Sequence, residues 1–210
     1  MDAPTHRDDA PELSPRTVFL AGFFVELALV PAAALIGYWL VETPFPFRLA
    51  FTPEGLLWGL GATVPMVFLA LALTSPAGRR FRPLRGIYER VRDLLGGAIR
   101  DMSVEDMILL AAAAGIGEEV LFRGTIQTVL GTWGLIGASL LFGVLHALTP
   151  AYFVLATLMG LYLGWVFQAS ENLLAPILVH WIYDSVALYL LRREIKKEAA
   201  NRPEEEVSRS

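Results

Sequence analysis

Apolar residues occur along the chain in six stretches that polar connections separate. A helix needs roughly 20 apolar residues to cross about 30 Å of hydrocarbon, and the longest stretches reach that length. The stretches cover residues 17–41, 55–74, 107–130, 135–148, 152–167 and 173–191. Prolines and phenylalanines alternate in the connection after the first stretch, which is typical of a loop at the membrane interface. The pattern therefore predicts an all-α polytopic membrane helix bundle with about six transmembrane helices.

The connection between the second and third stretches, residues 75–106, has a different character because it contains seven arginines. Apolar residues recur within it at helical spacing, at Leu84, Ile87, Val91, Leu94, Leu95 and Ala98. An apolar stripe flanked by arginines is typical of a helix that lies on an anionic membrane surface. We therefore expect a basic amphipathic interfacial helix here, and a solvated charged helix is the alternative.

The distribution of basic residues predicts the orientation of the bundle. Of 17 Lys and Arg residues, 2 lie in the N-terminal tail, 7 in the arginine-rich connection and 6 from Arg192 to the C-terminus. Cytoplasmic flanks are enriched in such residues, so both termini are expected in the cytoplasm. The resulting organisation is a disordered tail over 1–16, a transmembrane domain over 17–192 with its catalytic part at about 105–192, and a polar tail over 193–210.

Composition supports a membrane protein and narrows its chemistry. The chain of 210 residues is 55% hydrophobic and 18% charged, with a mean hydropathy of +0.52, which exceeds the apolar share of soluble domains. The lipid bilayer is therefore an expected partner. The absence of cysteine excludes disulfides, thiolate nucleophiles and cysteine-ligated metals. The net charge of −4 arises from acidic tails and does not indicate nucleic-acid binding.

Charged residues within the third apolar stretch are the strongest functional signal. A charge at bilayer depth costs at least about 2.5–3.5 kcal/mol, so such residues face a protein interior or a wet cavity. Residues four apart share a helix face, whereas adjacent residues diverge by about 100°. Glu119 is therefore predicted to pair with Arg123 as structural support, and Glu118 is the carboxylate left free for chemistry.

Later stretches add further polar groups that the same spacing rule connects. His146 follows Phe142 by four residues, and His180 precedes Asp184 by four, so one helix presents an imidazole and a carboxylate together. We expect one polar cavity, although counting 1.5 Å per residue along upright helices sets the two histidines at different depths from Glu118. Glu26 in the first stretch is interpreted as a glutamate packed inside the bundle, without a catalytic role.

Three ordered motifs carry a family resemblance: Glu118-Glu119-x-x-x-Arg123, Phe142-x-x-x-His146 and His180-x-x-x-Asp184. In this order, on successive late stretches, they resemble the CPBP family of CAAX prenyl protease and bacteriocin-processing (Abi) intramembrane endopeptidases, over about residues 105–192. The family often has asparagine where this chain has Asp184, and an ionised aspartate cannot donate a hydrogen bond. The resemblance implies a multi-pass protein of the prokaryotic plasma membrane.

The resemblance also implies roles. Glu118 would activate a water, and apolar surroundings make a carboxylate a stronger base. His146 would position that water or stabilise the oxyanion, and His180 with Asp184 would complete the polar cavity, supported by Glu119, Arg123 and Phe142. The implied partner is a peptide or protein substrate at the membrane, without an assumed prenyl group.

Three other interpretations stay open. A zinc ion held by Glu118, His146 and His180 would leave an open position for water; without a His-Glu-x-x-His motif, the reaction is expected to need no cofactor. A non-enzymatic membrane scaffold or immunity protein would use the polar cluster only to lock helices together. A proton-coupled transporter is the third interpretation, although the chain shows no internal repeat of the kind common in such folds.

Overall fold

Helices joined by short turns and one longer loop, residues 42–52, make up residues 14–201, the part of the chain that a computed structural model describes. Its α-helices are α1 (Pro15–Val41), α2 (Pro53–Thr74), α3 (Arg82–Asp101), α4 (Val104–Glu119), α5 (Gly134–Leu145), α6 (Pro150–Ser170) and α7 (Leu174–Ala200). A π-helical segment, Val120–Gln127, continues α4, and short 3₁₀ turns occur at Gly78–Arg80 and Gly131–Trp133. No strand occurs in this region, which confirms the predicted all-α class.

Local sequence signals set where several helices begin. The side chains of Ser14, Thr52, Ser103 and Thr149 each accept a hydrogen bond from a backbone N–H of the following helix, at 3.0–3.1 Å. Such side chains satisfy N–H groups that have no partner in the first turn. Proline lies in the first turn of α1, α2, α3 and α6, where its missing N–H costs nothing.

The predicted tails fall mostly outside the described residues. Residues 1–13 and 202–210 lie there, but Ser14 caps α1, and the last two residues of the expected N-terminal tail, Pro15 and Arg16, belong to the first helix. At the other end, α7 continues to Ala200. The first polar residues after 192 therefore extend a helix.

Four helices are long and apolar enough to cross a membrane: α1, α2, α6 and α7. Large apolar side chains such as Phe24, Leu57 and Phe68 remain more than 60% exposed on them, as lipid-facing surfaces require. The chain is therefore an integral membrane protein. α5 is apolar but only 12 residues long, and the third stretch is divided between α4 and the π-helical segment. The count of six spans and the cytoplasmic termini stay predictions.

A helix is present where the arginine-rich connection predicts one. Within the predicted stripe of α3, Ile87 is buried, and Val91 packs against a buried cluster that contains Phe19 of α1, Met107 of α4 and Leu191 of α7. Part of the stripe expected to rest on lipid is thus covered by the bundle itself. Placement of α3 at the membrane surface stays a prediction.

Charged groups fasten α3 and the turn before it to the end of α7. Arg79 contacts Glu198 at 2.7 Å and Glu194 at 3.2 Å, and the Tyr88 hydroxyl donates to Glu198 at 3.0 Å. Burial and the hydrogen bond to Glu198 raise the pKa of Tyr88 to about 12. The hydroxyl therefore remains a donor at neutral pH.

Gly117 allows α1 and α4 to touch through their backbones. A Cβ atom added at Gly117 would overlap the carbonyl oxygen of Glu26 in α1. Small residues at helix crossings permit this close approach in membranes. The contact fixes the position of Glu26 beside the polar motif of α4.

Replacing Gly117 by alanine is expected to destabilise the bundle. The added methyl group meets a backbone carbonyl that cannot rotate away, so an overpacking cost of about 1–3 kcal/mol is expected. The melting temperature of the purified protein measures it. Gly61→Ala is the matched control, because no atom lies within 4 Å of a Cβ there and alanine otherwise favours a helix. Equal melting temperatures for the two variants would contradict the backbone contact.

Candidate active site

A cavity of about 460 Å³ lies among the helices, and all seven α-helices contribute to its lining. Its polar lining includes Glu118, His146, His180 and Asp184, together with Glu26 from α1. The four residues proposed from the sequence for chemistry are therefore brought together. The helices pack so that these residues line one cavity, although upright helices would have placed the two histidines at different depths from Glu118.

Glu118 stands at the centre of this cluster, near the end of α4. One carboxylate oxygen, Oε1, lies 3.6 Å from Nε2 of His146, and the other, Oε2, lies 3.7 Å from Nε2 of His180. Oε2 is buried and has no hydrogen-bond partner in the described chain. The Glu118 carboxylate is therefore largely buried and makes no contact with the two histidines shorter than 3.6 Å.

Glu119 and Arg123 form the ion pair that their spacing predicts. Their charged groups are 2.8 Å apart, and their side chains are 0% and 1% exposed. Arg123 also donates to the carbonyl oxygen of Gly160 at 3.2 Å, and its guanidinium lies 4.7 Å from the ring centre of Phe142. The pair therefore ties α4 and the π-helical segment to α5 and α6.

The ring of His180 is held by Glu119 in the same arrangement. Nδ1 of His180 lies 2.7 Å from Oε1 of Glu119, and because Glu119 pairs with Arg123, that oxygen accepts and Nδ1 donates. This tautomer directs Nε2 toward Glu118 and toward Oδ2 of Asp184 at 3.4 Å. Helical spacing could not predict the hydrogen bond between Glu119 and His180, because the two residues are 61 positions apart in the sequence.

His146 is the C-cap residue directly after α5. Its Nδ1 lies 2.9 Å from the carbonyl oxygen of Phe142, and a carbonyl only accepts, so Nδ1 carries a hydrogen. The ring stacks on Phe142 with centres 4.3 Å apart, which leaves Nε2 facing Glu118. The fourth apolar stretch was predicted to continue to Leu148, but the helix ends at Leu145, shortly before the Thr149-Pro150 pair.

Two cavity residues were not predicted to belong to the site. Glu26 was expected inside the bundle, but it lines the cavity and interacts electrostatically with Glu118 and Asp184. Tyr152, at the start of α6, has its ring centre 6.2 Å from that of His146. The sequence alone does not distinguish a tyrosine that lines a cavity from one that anchors a helix end at the membrane interface.

The π-helical segment directly after Glu119 is also absent from the sequence prediction, which applied α-helical spacing throughout. Here the carbonyl oxygen of Arg123 accepts a hydrogen bond from the Thr128 hydroxyl at 3.1 Å. Gln127 donates to the carbonyl oxygen of Gly164 at 3.1 Å, so contacts with α6 support the wider turn. π-helical turns are frequent at functional sites.

The zinc alternative requires Glu118, His146 and His180 to converge on one ion at about 2.0–2.2 Å. Within residues 14–201, no group of three or more His, Asp and Glu side chains is arranged to hold a metal ion. The side chains, as they lie in the structure, are therefore not arranged to coordinate zinc. Independence of metal stays a prediction.

The motif residues lie in a segment that matches a known family. Residues 101–186 match the model of the family described as type II CAAX prenyl endopeptidase Rce1-like. This match confirms the predicted resemblance to CAAX proteases over residues 101–186. It includes all seven motif residues and begins at the last residue of α3, so α1, α2 and nearly all of α3 lie outside it.

A curated relative is similar to part of the chain, and its description names no activity. The protein YpbD of Bacillus subtilis (strain 168), described as uncharacterized, is 34% identical over 95 residues, which are 44% of this chain and 49% of the relative. The chain thus spans about half the length of that relative. No solved structure matches the chain significantly.

Proposed function

We propose that the protein is an intramembrane endopeptidase of the CAAX protease type, which hydrolyses a peptide bond with a water activated by Glu118. One observation carries the proposal: the Glu118 carboxylate lies between the Nε2 atoms of His146 and His180, at 3.6 and 3.7 Å, inside a membrane protein. The family match of residues 101–186 supports proteolysis as the reaction class.

The attacking water is proposed to lie between Glu118 and His146. With its hydrogen on Nδ1, a neutral His146 offers a lone pair at Nε2, and Glu118 Oε1 is also an acceptor. Two acceptors 3.6 Å apart do not bond to each other, but one water can donate to both. As the water oxygen attacks the carbonyl carbon, Glu118 takes one of its protons and passes it to the leaving nitrogen. The C–N bond then breaks, giving a carboxylic acid and an amine.

His180 is proposed to stabilise the oxyanion. Its Nδ1 donates to Glu119, so a doubly protonated ring would present an Nε2–H toward the cavity beside Asp184. Donors directed in advance at a developing oxyanion avoid reorganisation during the reaction. Asp184 would orient this ring, because an ionised aspartate cannot itself donate a hydrogen bond to the oxyanion.

The substrate is proposed to be a membrane-associated peptide or protein. Beyond the polar cluster, the cavity is lined by apolar side chains that include Val18, Ile87, Val91, Leu110 and Leu188. Such a lining favours an apolar or lipid-modified segment next to the bond that is cut.

The activity can be tested with the full chain in phospholipid vesicles. Two peptides with the same CAAX carboxyl terminus, one farnesylated and one not, separate a requirement for the lipid from a requirement for the peptide. Mass spectrometry of the products locates the cleaved bond. Cleavage of at least one peptide by the wild type is expected. Failure to cleave either, or unchanged cleavage by Glu118→Gln, would defeat the proposal. Precursors that accumulate in membranes of cells carrying Glu118→Gln would identify the native substrate.

Metal removal is expected to leave the activity intact. In the proposed mechanism Glu118 and two histidines act directly on water and carbonyl, so chelation removes nothing that the reaction needs. Elemental analysis of the chelated protein, combined with the peptide assay, makes the measurement. Activity that is lost on chelation and recovered with one equivalent of zinc would establish the zinc alternative.

A further inference from the structure

Glu26 is a carboxylate in the cavity to which the proposed mechanism gives no role. It comes from α1, outside the segment that matches the family, yet it shares the cavity with Glu118, His180 and Asp184. Its backbone carbonyl lies against Gly117, which precedes Glu118. The backbone of Glu26 is therefore held next to Glu118.

One oxygen of this carboxylate lacks a partner. Oε2 of Glu26 is buried and makes no hydrogen bond to any described residue. An unpaired buried polar group is costly, and an apolar residue would fill the same space in a bundle built only for packing. The unpaired oxygen therefore indicates that something outside the described chain supplies a donor.

The surroundings define what that donor can be. Two further carboxylates, Glu118 and Asp184, and two imidazoles, His146 and His180, line the same cavity as Glu26. The Nδ1 hydrogens of both histidines are already donated, to Glu119 and to the Phe142 carbonyl. In the proposed reaction the Nε2–H of His180 is directed at the oxyanion, so a peptide lying in the cavity would bring backbone N–H groups as the donors for Glu26.

We propose that Glu26 is a substrate-binding residue whose free carboxyl oxygen accepts a hydrogen bond from a backbone N–H of the peptide substrate. This inference rests on the proposed peptidase function. It assigns α1 a direct part in holding the peptide across the cavity while the groups on α4, α5 and α7 react.

Kinetics with a peptide that the wild type cleaves provide the first test. Glu26→Leu removes the acceptor and is expected to raise KM about tenfold, since a buried hydrogen bond to the substrate is lost. Glu26→Gln keeps an acceptor oxygen and is expected to restore most of the affinity. Glu54→Leu, at an exposed glutamate in the first turn of α2, is the matched control and should leave KM unchanged. A wild-type KM for Glu26→Leu, or a fall in kcat alone, would overturn the inference.

The absence of native cysteine permits a second test that does not depend on turnover. In the Glu118→Gln background, the thiol of Glu26→Cys is labelled with a membrane-permeant maleimide, with and without the same peptide. The peptide is expected to slow labelling several-fold, whereas labelling of Glu54→Cys in the same background should not change. Unchanged labelling of Glu26→Cys at saturating peptide would overturn the inference even if Glu26→Leu does not fold. Because wild-type cleavage of the peptide is established first, either negative result leaves the peptidase function standing.

Discussion

Glu118→Gln is expected to reduce peptide hydrolysis by about 10²- to 10⁴-fold, the usual contribution of a positioned general base. Glutamine keeps the size of the side chain but cannot take the proton of the attacking water. The fold should survive, because the Glu118 carboxylate makes only contacts of 3.6–3.7 Å with its two histidines. The measurement compares initial rates of hydrolysis of a CAAX peptide that the wild type cleaves. The melting temperature of each protein shows whether the fold is retained.

The control for this substitution is Glu54→Gln, which changes an exposed glutamate outside the cavity and should retain wild-type rates. Full activity of Glu118→Gln would remove the carboxylate from the mechanism. A Glu118→Gln protein that does not fold would instead give this residue the structural role that a membrane scaffold requires.

Arg123→Met is expected to cause the largest loss of stability in the chain. The substitution leaves Glu119, which is 0% exposed, without its countercharge, and breaking a buried pair from one side costs about 3–5 kcal/mol. Removing both charges in Glu119→Gln/Arg123→Met should recover much of that loss, because no buried charge is then left uncompensated. Thermal or denaturant unfolding in detergent would report both effects.

The matched control is Arg85→Met on α3. Arg85 pairs with Glu89 at the same i, i+4 spacing, but both side chains are about half exposed and their charged groups are 3.9 Å apart. An exposed pair of this kind contributes about 0–1 kcal/mol. A double variant as unstable as Arg123→Met alone would mean that the hydrogen bond to Gly160, and not the charge pair, dominates.

Spacing along the sequence predicted contacts within one helix and failed for contacts between helices. Glu119 with Arg123, and His180 with Asp184, are both found as their separation of four residues requires. The contact of Glu119 with His180 was missed because helical periodicity says which face a residue occupies, and not which neighbour that face meets. The position of Glu26 in the cavity depends on the same kind of information, since it follows from the crossing at Gly117.

The amphipathic connection illustrates a second limit. Its arginines and apolar stripe predicted a helix, and α3 is present, but an apolar stripe does not distinguish lipid from a protein cavity as its partner. Ile87 and Val91 line the cavity, so part of that stripe faces the site. The π-helical turn after Glu119 likewise depends on partners in α6, such as the carbonyl oxygen of Gly164, that no local pattern specifies.

The cavity draws on two portions of the chain that can vary separately. All seven motif residues lie within 101–186, whereas Val18, Glu26, Ile87 and Val91 belong to α1 and α3, before that segment. Exchanging residues in α1 and α3 is therefore expected to reshape what the cavity admits while the groups proposed to activate water stay in place. Grafting α1 to α3 from a related protein would then redirect the proposed peptidase site toward a different substrate.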